Sequence, residues 1–137
     1  VPFRVEAPPV GTVSYALFLE DKDAFPVSGG FSWLHWTLCN LKRPYLEENE
    51  SVRGEGFVQG VNSYMSIQGG SVGQDGCIGY AGMAPPDAPH WYELTVYALD
   101  CLLPLENGFF MNHMFRRMDG HILAQDTVKA LYTPREV

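Results

Sequence analysis

The sequence predicts a mainly β protein that ends in helices, and three observations carry that reading. Fourteen glycines and ten prolines in 137 residues exceed the roughly 12% of an average protein, so the chain turns often. Several segments alternate apolar and polar residues or are rich in β-branched and aromatic side chains, as strands are. The strands come first and the helical spacing last, with no strand–helix–strand alternation, which points to an antiparallel rather than a parallel sheet.

The elements follow in order. Residues 13–20 alternate Val13, Tyr15, Leu17 and Leu19 against Ser14, Ala16, Phe18 and Glu20, the period-two pattern of a buried strand. Residues 33–41 are apolar on both faces, as a central strand is; strict alternation puts Trp33, His35, Thr37 and Cys39 together. Residues 42–82 hold nine of the fourteen glycines and read as loop with short strands near 57–61 and 63–67. Residues 90–99 give the strongest strand signal and place His90, Tyr92, Leu94 and Val96 on one face. After Pro104 the period changes: Phe110, Met111, Met114, Phe115 and Met118 recur at helical spacing. Leu123, Thr127, Ala130 and Leu131 do so again after Asp119-Gly120, which predicts two short C-terminal helices. The methionine and phenylalanine stripe reads as core or dimer contact.

Composition excludes several functions. Sixteen acids against nine bases give a net charge of −7, and no Lys or Arg occurs from Gly54 to Phe115. Nucleic-acid binding, which relies on cationic contacts to phosphate, is therefore not expected. No apolar run is long enough for a membrane-spanning helix. Three cysteines without a C-x-x-C pair encode neither a disulfide framework nor a zinc ribbon, and Cys39, inside an apolar run, reads as a small buried hydrophobe. Cysteine usage and the lack of a visible signal peptide suggest the cytoplasm. The glycine-rich stretch lacks the lysine of a phosphate-binding loop, and neither G-x-S-x-G nor H-E-x-x-H occurs. No cofactor is implied.

What remains are polar residues at strand ends: Asp21-Lys22-Asp23 after the first strand, Trp33-Leu34-His35-Trp36 opening the second, and residues 82–92 leading into the third. The apolar surroundings of His35 and His90 make unpaired burial costly, so each needs a partner. His113 and His121 read as structural, His113 on the outer side of the first helix and His121 in the first turn of the second.

These segments carry a resemblance. Asp21-x-Asp23-Ala24 with Pro26, then Trp33-x-His35-Trp36 with Asn40, then Gly79-Tyr80-x-Gly82-x-Ala84-Pro85-Pro86, His90-x-Tyr92, Tyr97-Ala98-Leu99-Asp100 and Gly120-His121-Ile122-Leu123-Ala124 stand in one order. That order resembles the phosphatidylethanolamine-binding protein family, in particular its bacterial and archaeal branch; Raf kinase inhibitor protein is a eukaryotic relative. The resemblance implies an antiparallel β-sandwich with a ligand pocket at one end. It implies a pocket formed by Asp21, Trp33, His35, Ala84, Pro85, Pro86, His90 and Tyr92, which takes a small anion or a phosphoethanolamine-like headgroup. Lys22 departs from the family pattern, where a proline is usual, and Trp91 stands in place of a basic residue.

The primary expectation is a binding module rather than an enzyme. One alternative is a kinase or protease inhibitor acting through protein contacts, and another is a hydrolase or metal site using His35 and His90 with Asp21. A single domain over 1–137 is expected, starting one strand later than the family pattern. The uncovered edge would then lie at Phe3–Val5, to be met by an N-terminal companion peptide or by a second subunit in a homodimer.

Overall fold

The computed structural model describes residues 2–71 and 73–134. Seven strands form in chain order: β1 (Phe3–Arg4), β2 (Ser14–Asp21), β3 (Trp33–Leu41), β4 (Tyr45–Leu46), β5 (Val58–Gln59), β6 (His90–Leu99) and β7 (Ile122–Tyr132). Between them lie three one-turn helices, α1 (Phe25–Ser28), α2 (Glu50–Arg53) and α3 (Gln74–Cys77), and the longer α4 (Met111–Met118). The main sheet is antiparallel with order β5-β3-β2-β6-β7, and β1 pairs with β4 in a small second sheet.

The alternation read from β2 now has a physical cause, because both faces of this central strand are covered. Tyr15, Leu17 and Leu19 join Trp36, Leu38, Tyr92 and Leu94 in one core, against which Phe3 and Val5 pack. Ala16 and Phe18 face the other core, built from Cys39, Tyr97, Leu99, Leu103 and Phe109 and closed by Met114 and Met118 of α4. Met114 and Met118 of the predicted stripe are thus core, and the partly exposed Phe115 packs edge-on against Phe18, with ring centroids 5.4 Å apart.

The expected second C-terminal helix is instead strand β7, whose register with β6 runs from Leu99↔Ile122 to His90↔Tyr132. Every residue of β7 is exposed, so burial imposes no alternation on it, and chance apolar spacing mimicked a helix. Its β-branched residues carry the truer signal: Thr127 reaches across to Thr95, Oγ1 to Oγ1, at 2.9 Å. His121 accordingly precedes a strand rather than opening a helix, while His113 is exposed on α4.

One further expectation changes. The stretch near 63–67 is not a strand: Ser63–Met65 is a single 3₁₀ turn, started by the Asn62 side chain accepting from Tyr64 N at 3.1 Å. The backbone at Phe3–Arg4 pairs on one side with β4, Phe3↔Leu46 and Arg4↔Tyr45, and among the described residues β7 is the long edge strand of the main sheet.

Asn40 fastens β3 to the segment after β6. Its φ of 60° is left-handed, and its side chain both donates to Leu103 O (2.8 Å) and accepts from Leu103 N (2.7 Å). Replacing Asn40 with Ala removes both bonds and puts a less tolerant residue in left-handed backbone. Asn40→Ala should therefore lower unfolding free energy by about 2–4 kcal/mol, read from urea denaturation.

Candidate functional site

The site forms where three strand ends meet. The sequence pairs Trp33 with His35 and His90 with Tyr92, but β3 and β6 are not neighbours: β2 runs between them and ends on Asp21, opposite Trp33 on one side and Tyr92 on the other. Strict alternation along β3 also fails. Leu19 opposes Trp36 while Glu20 opposes Leu34, so His35 is an extra residue at a β-bulge. Trp33 and Trp36, three apart, therefore oppose the same face of β2, and His35 turns toward that side rather than joining Cys39. Bulges commonly re-aim a side chain in this way. The His35 ring lies edge-on to Tyr92, with centroids 5.2 Å apart.

Asp21, Trp33, His35, Ala84, Pro85, Pro86, His90 and Tyr92 all line one cavity of about 370 Å³. Ala24, just before α1, Val27 and Ser28 of α1, and Tyr64 and Gln68 of the glycine-rich loop complete its wall. Sequence reasoning assigned these five to no site, because they sit in short helical turns and a loop without a long periodic pattern. The loop reaches the site because Leu34 N donates to Ser63 Oγ (2.8 Å) and Trp33 packs edge-on against Tyr64. Gly69 permits the return: a Cβ there would lie 2.5 Å from Tyr64 Cα. The proline rim is anchored through Ala81, whose N donates to His35 O (2.8 Å) and whose O accepts from His35 Nδ1 (3.1 Å).

The two histidines sit in opposite electrostatic settings. His90 is buried, its Nδ1 2.6 Å from Asp21 Oδ2 and its Nε2 2.7 Å from Asp87 Oδ1. Burial opposes its charge, but hydrogen bonds and attraction from Asp21 and Asp87 outweigh that, and its pKa is raised. The same contact with His90 holds Asp87 below its ordinary value against the cost of its own desolvation. For His35 burial wins over the Ala81 contact and the Asp21 charge, and the pKa is lowered. Neutral His35, donating through Nδ1 to Ala81 O, keeps Nε2 as an acceptor. Asp87 is the partner that sequence reasoning assigned no role; its signal is local, three residues before His90.

The departures from the family pattern fall outside this wall. Lys22 turns to Glu93 Oε2 at 3.0 Å, and Trp91 keeps a tie to the acidic loop through its backbone, whose N donates to Asp23 Oδ2 at 2.8 Å. The metal version of the site meets an obstacle, since both ring nitrogens of His90 are already bonded to carboxylates.

A family model described as phosphatidylethanolamine-binding protein matches residues 1–133. The chain belongs to the phosphatidylethanolamine-binding protein family. It is 40% identical over 134 residues to the uncharacterized protein YxkA of Bacillus subtilis, covering 95% of this chain and 79% of that one. A UPF0098 protein of Methanothermobacter thermautotrophicus is 32% identical, with 96% and 80% covered. Among solved structures, the family homolog CT736 of Chlamydia trachomatis superposes with a TM-score of 0.77 at 31% identity, covering 98% of this chain and 80% of that one. YbcL of Escherichia coli gives 0.75 at 26%, covering 98% and 79%.

The opposed settings are directly measurable. In an NMR pH titration His90 should lose its proton above the ordinary histidine value of about 6.5, and His35 below it. The fold favours charged His90, so its contribution to stability is complete below that ordinary value and fades as pH rises through the raised one. Asp87→Asn should move the His90 midpoint down and leave that of His35 in place.

Proposed function

We propose that this cavity binds a small zwitterionic ligand of the phosphoethanolamine type, an ammonium joined to an anionic group. One observation carries the reading: Asp21 Oδ1 is buried at the cavity and has no hydrogen-bond partner among the described residues. A buried acceptor left unbonded costs about 1–3 kcal/mol, which a ligand N–H would recover.

The charge balance favours a zwitterion over a bare anion. Asp21 of the wall and Asp87 just behind it share one imidazolium, His90, and no Lys or Arg lines the cavity, so the pocket with its immediate surround carries net negative charge. An ammonium at Asp21 Oδ1 offsets that charge, and Trp33 and Tyr92 supply neutral donors for the anionic end. His35 becomes a donor at Nε2 only by taking up a proton, so binding strengthens as pH falls through its lowered pKa.

For the hydrolytic alternative the geometry favours a different residue from the one the Asp21–His90 pair suggests. His90 is tied at both nitrogens and cannot accept a proton, whereas neutral His35 has Nε2 available as a general base. Inhibition of a kinase or protease has no comparable observation behind it.

Phosphoethanolamine, inorganic phosphate and ethanolamine should be titrated separately into labelled protein. The zwitterion is expected to shift the His35 and His90 ring signals at lower concentration than either fragment. Asp21→Asn should weaken it by roughly tenfold or more, the loss of one charge-assisted bond. No shift of either ring at millimolar phosphoethanolamine would sink the proposal.

A further inference from the structure

A second cluster of chemistry-bearing side chains lies away from the cavity, where the connection between β6 and β7 begins and ends. Asp100 and Cys101 follow the last residue of β6, and His121 precedes the first residue of β7. One ligand atom from each, a carboxylate oxygen, Sγ and a ring nitrogen, lies within 4.8 Å of the other two. Among the described residues it is the one group of three such side chains that converges.

The backbone fixes the arrangement. Asp100 N donates to His121 O at 3.1 Å, extending the β6–β7 ladder past its end, and His121 N donates to Met118 O at 2.9 Å. Ser14 Oγ of β2 donates to Cys101 O at 2.6 Å. The side chains are already associated, with His121 Nδ1 2.7 Å from Asp100 Oδ1. In a tetrahedral ion with bonds of about 2.0 Å to N and O and 2.3 Å to S, ligand atoms stand about 3.3–3.5 Å apart. The carboxylate and imidazole atoms stand closer than that at 2.7 Å and the sulfur lies within 4.8 Å of both, so closure takes adjustments of up to roughly 1.3 Å, which the half-exposed Asp100 and His121 side chains can make by rotation.

We infer that Asp100, Cys101 and His121 form a binding site for a borderline-soft divalent cation of the zinc type, with water as the fourth ligand. One sulfur, one nitrogen and one oxygen donor suit zinc or cobalt and disfavour magnesium or calcium, which prefer all-oxygen sites. Binding is a substitution: the Cys101 thiol gives its proton to solvent as the sulfur–metal bond forms. The ion would clip together the two ends of the connection that carries α4, whose Met114 and Met118 close the second core. Nothing in this inference depends on what the cavity binds.

The test uses the full chain, kept reduced, with Co²⁺ as probe. One equivalent is expected to produce a near-ultraviolet thiolate-to-cobalt charge-transfer band, which Zn²⁺ then abolishes by displacement. Cys101→Ser should eliminate the band. His121→Ala should weaken cobalt binding at least tenfold, and being at an exposed residue it still reports should Cys101→Ser fail to keep the wild-type circular dichroism. Absence of the band at millimolar Co²⁺, or its survival in Cys101→Ser, would overturn the assignment; the latter would move the metal to Cys39 or Cys77.

Discussion

The 2.6 Å contact between Asp21 and His90 decides where the ends of the central strands can lie. Both side chains are almost wholly buried, and a lone charge in either place would cost several kcal/mol. They are kept together by register: Asp21 ends β2 opposite Tyr92, and His90 begins β6 two residues away. Asp87, on the approach to β6, takes the other ring nitrogen. The imidazole is thereby fixed in orientation and in charge, and the loop leading to it is fixed as well. Tyr92 and the proline rim inherit their positions from that arrangement.

His35 is placed by a different device. Its bulge gives β3 one more residue than β2 spans, and the reciprocal bonds with Ala81 hold both its main chain and its ring. Two histidines lining one cavity therefore differ in kind. One is a doubly bonded cation that cannot exchange a proton without breaking a contact; the other is a neutral ring with one nitrogen uncommitted. Any chemistry that needs a proton moved must use the second, and any that needs fixed positive charge must use the first.

Legibility in the sequence followed burial. Strands β2, β3 and β6 could be read because two covered faces dictate their side chains. β7 could not, since it is exposed on both faces and its composition answers only to pairing with β6. The eight predicted cavity residues lie on strand ends or in a proline-marked turn, where spacing carries information. Tyr64 and Gln68 arrive through a loop folded by Asn62 and Gly69, and no period announces such a fold. The bulge at His35 is invisible in one strand because it is a mismatch between two. The reach of Asp87 to His90 was legible in principle, being local, but the same stretch is dominated by prolines that read as rim.

β7 also has a kinetic side. Antiparallel pairing to a single neighbour engages only alternate residues in hydrogen bonds, so every second amide of this strand points away from β6 and into solvent. With no side chain buried to anchor it, opening of β7 exposes little apolar surface beyond what is already wet. Its bonded amides should therefore report local opening rather than global unfolding, while those of β2, bonded on both sides, report the whole domain. The molecule is thus graded in persistence from its centre to this margin.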